Sequence, residues 1–347
     1  MDSYICYYNQ GKFYFSQSQE YFNEVDRLID ALDAANNAIS SFEIASSGLP
    51  SIATDIGLTC GQAFVCLGEV YWFLYKHALD QSHLSSKYTI RNGPSSIQWY
   101  QQAGLHLMKA IHWRDQARSS GDYRGSLELG YLYKEQFLDG NCFFHEIFAL
   151  QKAISYFEEV PEESSDFVVA CEQQGFIYQS LAEEVEGVEG AERDDYFFRA
   201  IEWYKKAARR NSVSAMKSLG SMYYSDYKIK KAPEPATAAA ALNSSLDWFE
   251  RAADLGDVSS INKLATIYAD LPDNGEDNIS TNLETAIKWY VLAASKNNSH
   301  AVAALYKLYK NGPFLDFEAA EHWYQFGLGI TLGTYEHRLF VRRCSLA

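Results

Sequence analysis

The chain is 347 residues long, 47% apolar and 22% charged, which is enough for a sizeable core and ordinary for a soluble protein. Its 30 basic and 45 acidic residues leave a net charge of −15, which argues against non-specific binding to nucleic acid or to an anionic membrane. The six cysteines form no CxxC pair, which argues against a zinc site or a disulfide ladder and for reduced thiols in a cytoplasm.

The first residues, MDSYICYYNQGKFYF, carry no basic run and no long apolar core, so no secretory signal is expected. No run reaches about 18 apolar residues, so no membrane span is expected. Two aromatic runs flank Asn-Gln-Gly, and over residues 1–20 this pattern predicts a short β-hairpin capping the rest. Residues 20–46 read as one long helix ended by Gly48 and Pro50. We set a boundary here, with a capping region over 1–57 and helical repeats over 58–347.

From residue 58 onward the sequence repeats. Ala63, Leu67-Gly68 and Tyr71 come first, and a helix over 96–118 then carries Trp99 and Trp113. Trp113 is the better anchor, because it stands 20 residues before Tyr133, as Trp203 does before Tyr223, Trp248 before Tyr268 and Trp289 before Tyr309. AIEWYKKAA, SLDWFERAA, AIKWYVLAA and AAEHWYQFG each place small and aromatic residues on one helical face. Eight residues past the anchor stands Gly121, Asn211, Gly256 or Asn297, the two residue types that enter the left-handed conformation at low cost. In the last copy Thr331 holds that place, so its turn slips to Gly329 or Gly333. Gly68, Gly130, Gly175 and Gly220 recur inside the other helix of each unit. A helix-interior glycine costs about 1 kcal/mol relative to alanine, so a neighbouring helix must approach closely there.

At these residues the chain resembles the Sel-one-like repeat family, relatives of the tetratricopeptide repeats. The resemblance is specific from about Trp113 to Gly327 and weaker before residue 110. It implies an all-α fold, a right-handed α-solenoid of about six to seven helical hairpins with the Gly-bearing helices lining the concave face. It also implies a non-enzymatic protein-binding role. Family members serve as adaptors, and in bacteria some are immunity proteins for toxic effectors.

The unit is stretched at three connections, 181–195, 228–235 and 271–278, all on one edge of the solenoid. The eight histidines form no HExxH and no zinc spacing, and no catalytic constellation or cofactor motif is visible. GLGITLG follows a helix and not a strand, so it reads as a turn and not a phosphate loop. A β-lactamase-type hydrolase remains the remote alternative; the family members of that kind carry paired cysteines in each repeat, which this chain lacks.

Groove-facing positions carried over from related hairpins give Glu69, Trp72 and Phe73; Arg124, Tyr131, Lys134 and Glu135; and Glu172, Phe176 and Gln179. Further along they give Lys217, Ser221, Tyr224, Asn262, Thr266 and Asp270, then His300, Lys307 and Lys310. Aromatics in a groove are the usual anchors of protein interfaces. The expected partner is another protein, a basic effector or toxin domain neutralised in the cytoplasm, with a signalling or assembly adaptor as the alternative.

Overall fold

The computed structural model describes residues 2–22, 28–49, 59–87, 96–138, 146–184, 191–230, 233–271, 278–311 and 316–330. Their regular structure is entirely α-helical: α1 (Asp2–Phe22), α2 (Leu28–Gly48), α3 (Cys60–Lys87), α4 (Ser96–Ser119), α5 (Tyr123–Leu138), α6 (Glu146–Glu158) and α7 (Phe167–Glu184). They continue as α8 (Ala191–Ala208), α9 (Val213–Lys230), α10 (Pro235–Asp254), α11 (Val258–Asp270), α12 (Asn278–Ser295), α13 (Ser299–Asn311) and α14 (Phe317–Ile330). The chain divides into two compact units, Met1–Tyr196 and Phe197–Ala347, and the division falls inside α8.

Residues 2–22 are a helix and not the expected hairpin. Tyr4, Tyr8, Gly11, Phe15 and Ser18 recur at helical spacing, and that period overrides the β-prone composition. The Tyr8 ring meets Phe42 of α2 edge-on at 5.8 Å. A Cβ on Gly11 would stand 2.8 Å from the Phe42 ring, so glycine is required for this approach. The helix expected over 20–46 is likewise two: α1 ends at Phe22 and α2 starts at Leu28, with 23–27 outside the described residues.

Within the first unit α1 packs on α2, α3 on α4 and α5 on α6. Phe42, Leu67, Tyr75, Leu107, Leu129, Leu132, Phe157 and Ile177 form its fully buried centre. Within the second unit α9 packs on α10, α11 on α12 and α13 on α14, around Leu219, Ile261, Leu264 and Leu305. Each unit is thus a stack of helical hairpins, the arrangement of a repeat solenoid.

The turns between hairpins follow the spacing in the sequence. Gly121, Asn211, Gly256 and Asn297 have φ of 86°, 62°, 90° and 62°, all left-handed. Each closes the preceding helix with the same pair of bonds. At Asn211 its own N–H donates to the Ala208 carbonyl at 2.9 Å, and the Ser212 N–H donates to the Ala207 carbonyl at 3.3 Å. The residue after the turn then caps the next helix: Ser212 accepts from the Ala215 N–H, Asp257 from Ser260 and Asn298 from Ala301. Two adjacent residues therefore end one helix and start the next.

The mid-helix glycines answer to the partner helix of their own hairpin. A Cβ on Gly130 would come within 2.7 Å of Phe157, and one on Gly220 within 2.9 Å of Phe249. In these two hairpins the residue that presses on the glycine is the second of an aromatic pair, Tyr156-Phe157 or Trp248-Phe249, and the second of each such pair is the deeper: Phe157, Tyr204, Phe249 and Tyr290 are buried, while Tyr156, Trp203, Trp248 and Trp289 are half-buried.

Much of the surplus expected in the enlarged connections is helix. Helix α7 reaches Glu184 and α8 starts at Ala191; α9 reaches Lys230, and Pro235 opens α10; α12 starts at Asn278. Helix α14 runs through Gly329, so the last turn does not fall there. Gly333 and the tail LFVRRCSLA lie outside the described residues.

Candidate protein-binding groove

In the first unit the predicted groove residues lie on α3, α5 and α7, and a chain of contacts joins them. A reciprocal cap opens α3: the Thr59 N–H donates to the Gln62 side chain at 3.0 Å, and the Gln62 N–H donates to the Thr59 hydroxyl at 3.3 Å. Nine residues on, Gly68 lets Arg114 of α4 in beneath the helix, with the Arg114 Cγ at 2.6 Å from a Cβ built there. The Arg114 guanidinium lies 5.5 Å from the centre of the Trp72 ring and donates to Glu128 of α5 at 3.2 Å. It is 2% exposed, and its Nε and Nη1 find no acceptor among the described residues. Burial lowers its pKa, while Glu128, Glu69 and Glu135 act in the opposite sense.

Glu69 is half-buried beside this arginine. Burial first, and then the neighbouring Glu128 carboxylate, push its pKa up, against the pull of Arg114, Lys12 and Arg124. Tyr131 stands edge-on to Phe157 at 5.5 Å and keeps a half-open face. Lys134 donates to Gln173 at 2.5 Å and lies over two rings, 5.3 Å from Tyr131 and 5.5 Å from Phe176. Phe176 is 40% exposed. Lys76 lies 5.1 Å from the Trp72 ring and pairs with Glu135 at 2.7 Å. Glu172 and Gln179 are half-buried on α7, and the Gln179 amide donates to Glu183 at 2.9 Å. Two predicted residues face elsewhere: Phe73 packs edge-on against Phe15 of α1 at 5.8 Å, and Arg124 is held by Asp122.

The second unit places its groove residues differently. Tyr224 is 8% exposed, and Lys228 and Lys263 lie over its ring at 4.6 Å and 5.4 Å, so it packs inward and presents no aromatic face. Lys217 pairs with Asp257 at 3.4 Å. Ser221 and Asp270 are exposed and Asn262 is half-buried; Thr266 donates to the Asn262 carbonyl at 2.9 Å. His300 and Lys307 are exposed, and Lys310 lies 5.1 Å from the Tyr306 ring. A shallow hollow of about 370 Å³ on this unit is lined by Arg209, Trp248, Arg251 and Leu255, at the turn edge and away from these positions.

Arg114 and Glu128 are the groove-side residues that the spacing rule missed. Glu128 falls two places before Gly130, outside the carried-over offsets. Arg114 was visible as a break in a column: the residue after the anchor is Phe157, Tyr204, Phe249, Tyr290 and Tyr324 elsewhere. Among the described residues no three His, Cys, Asp or Glu side chains stand close enough to share a metal, and no helix is long and apolar enough to cross a membrane.

The Sel1 repeat model matches residues 74–105, 185–212, 242–257 and 259–298, about a third of the chain. The first match lies before residue 110, where the residue pattern is weakest, and 106–184 is unmatched despite the Gly130–Phe157 hairpin. No curated protein matches by sequence. A Sel1 repeat protein from Oxalobacter formigenes is 16% identical, with 91% of this chain and 99% of that chain covered at a TM-score of 0.39. An immunity protein from Pseudomonas aeruginosa is 14% identical, with 74% of this chain and 81% of its own covered at 0.29. A circular tandem repeat protein is 11% identical, with 99% and 85% covered at 0.35. Superpositions this loose bear on neither partner nor mechanism.

Proposed function

We propose that this chain, which belongs to the Sel1 repeat family, binds a basic protein in the groove of its Gly-bearing helices and neutralises it in the cytoplasm, as an immunity protein does a toxic effector. The observation that carries the reading is the α3–α5–α7 face of the first unit, where half-open aromatics stand beside half-buried carboxylates. The net charge of −15 supports it, because complementary charge speeds encounter with a basic partner. Stacked hairpins of this kind serve protein recognition, and binding alone, by covering a catalytic surface, is enough to neutralise a toxin.

The test is affinity capture from the native cell with the full chain as bait, beside a Tyr131→Ala/Phe176→Ala double variant. A basic, toxic domain that the intact chain retains and the variant releases, and whose lethality co-expression suppresses, is the expected result. A captured kinase or secretion component without toxicity would replace neutralisation with an adaptor role. Equal capture by the folded double variant would overturn the groove as the binding face.

A further inference from the structure

The repeat rule breaks at Arg114, and the break is electrostatic. In the other hairpins the slot after the anchor holds Phe157, Tyr204, Phe249, Tyr290 or Tyr324. A buried guanidinium with two unpartnered donors is an expensive substitute for an aromatic ring. What it supplies is a fixed positive charge beneath two carboxylates. Arg114 binds Glu128 at 3.2 Å, and its charge offsets part of the cost of placing the half-buried Glu69 beside that carboxylate. Among the described residues Glu69 makes no ion pair and no hydrogen bond.

Beside these carboxylates run the rings of Trp72, Tyr131 and Phe176, and each already carries one of the chain's own cations. Lys76 lies 5.1 Å from Trp72, and Lys134 bridges Tyr131 and Phe176 at 5.3 Å and 5.5 Å. Burial of Lys134 lowers its pKa, so its ammonium is partly desolvated where it sits. A ring face next to an unpaired carboxylate is the environment that a guanidinium or ammonium group prefers.

We propose that this strip seats arginine or lysine side chains from an extended basic segment of the partner protein, with an incoming cation pairing to Glu69 while another displaces Lys134 from Tyr131 and Phe176. The inference rests on the reading of a basic protein partner and assigns it a seat. Arg114 acts here as a positioning residue and does not touch the partner.

The probe is a fluorescein-labelled oligo-arginine peptide, titrated into the full chain and followed by fluorescence anisotropy. Glu69→Gln, of nearly unchanged shape, is expected to weaken binding about tenfold. Lys134→Ala is expected to tighten it about threefold, because the resident cation is gone. Lys296→Ala removes the same charge from an exposed site on the second unit outside the predicted groove and is expected to leave affinity within the general charge effect, well below that of Lys134→Ala. Circular dichroism establishes that each variant is folded. If the wild type binds the peptide and Glu69→Gln and Lys134→Ala bind it no differently from Lys296→Ala, the seat is refuted and the basic-partner reading stands. If the wild type does not bind the peptide, the basic-partner reading falls as well.

Discussion

The two units solve the same packing problem and leave different surfaces. In the second unit the slot against the mid-helix glycine is filled by Phe249, 2% exposed, and the groove tyrosine, Tyr224, is sunk under Lys228 and Lys263. In the first unit the corresponding slot of the α3–α4 hairpin holds Arg114, Trp72 and Tyr131 are half-buried, and Phe176 is 40% exposed. A regular repeat optimises its own contacts; where one slot gives up an aromatic for a charge, stability has been exchanged for a polar surface. The first unit has made that exchange and the second has not.

The largest expected effects test the shared part of this comparison. Phe157→Ala and Phe249→Ala each remove a buried ring that fills a glycine notch, and each should cost about 4 kcal/mol by urea unfolding. A cost near zero for either would mean that the notch is not the seam between helices. The next effect tests the difference. Arg114→Ala leaves Glu128 and Glu69 uncompensated and should cost about 3 kcal/mol. Arg114→Tyr restores the side chain that other hairpins use and should be no less stable than the wild type, while peptide binding at Glu69 weakens. A large loss of stability in Arg114→Tyr would show that the arginine is there for the fold.

Titration gives a smaller signal in the first unit. His106 stacks on Tyr71 at 6.1 Å, and burial, followed by Lys109, lowers its pKa. The folded chain then holds fewer protons than the unfolded one, so this contribution is present above the unfolded value of about 6.5 and is lost as pH falls through the lowered folded value. His106→Phe should flatten that slope in unfolding experiments below neutral pH. Glu69 has the opposite sign: its raised pKa gives a contribution present at acid pH and lost as pH rises, so Glu69→Gln should be more stable than the wild type near neutrality. The smallest effect is Asn211→Ala in the second unit, about 1 kcal/mol for an alanine at a φ of 62°, read as a shift in the urea midpoint.

Most of the scaffold was legible because its rules are local. A Gly or Asn eight residues past the anchor needs only backbone sterics, and all four have positive φ. The notched glycines were legible for a different reason: a helix-interior glycine is costly, so its recurrence signals a close partner, here Phe157 and Phe249. The N-terminal helix was misread because aromatic composition was weighed before period: Tyr4, Tyr8, Gly11 and Phe15 follow a helix, not an alternation. The deeper residue of each Trp-aromatic pair could not be separated from its neighbour by composition, since both are large rings. The groove was legible only as positions. Whether a ring at such a position opens to solvent or sinks depends on long lysine stems from the same and the next helix, as Lys228 and Lys263 show at Tyr224. Arg114 stood in the sequence as an exception to a column, and its meaning required the contacts with Trp72 and Glu128.

The central claim is that the α3–α5–α7 face of the first unit is the binding face. Amide hydrogen exchange of the full chain, free and saturated with the captured partner, tests it directly. The account predicts added protection over Glu69–Trp72, Glu128–Lys134 and Glu172–Phe176. Protection confined to the second unit, or to the connections between hairpins, would contradict it.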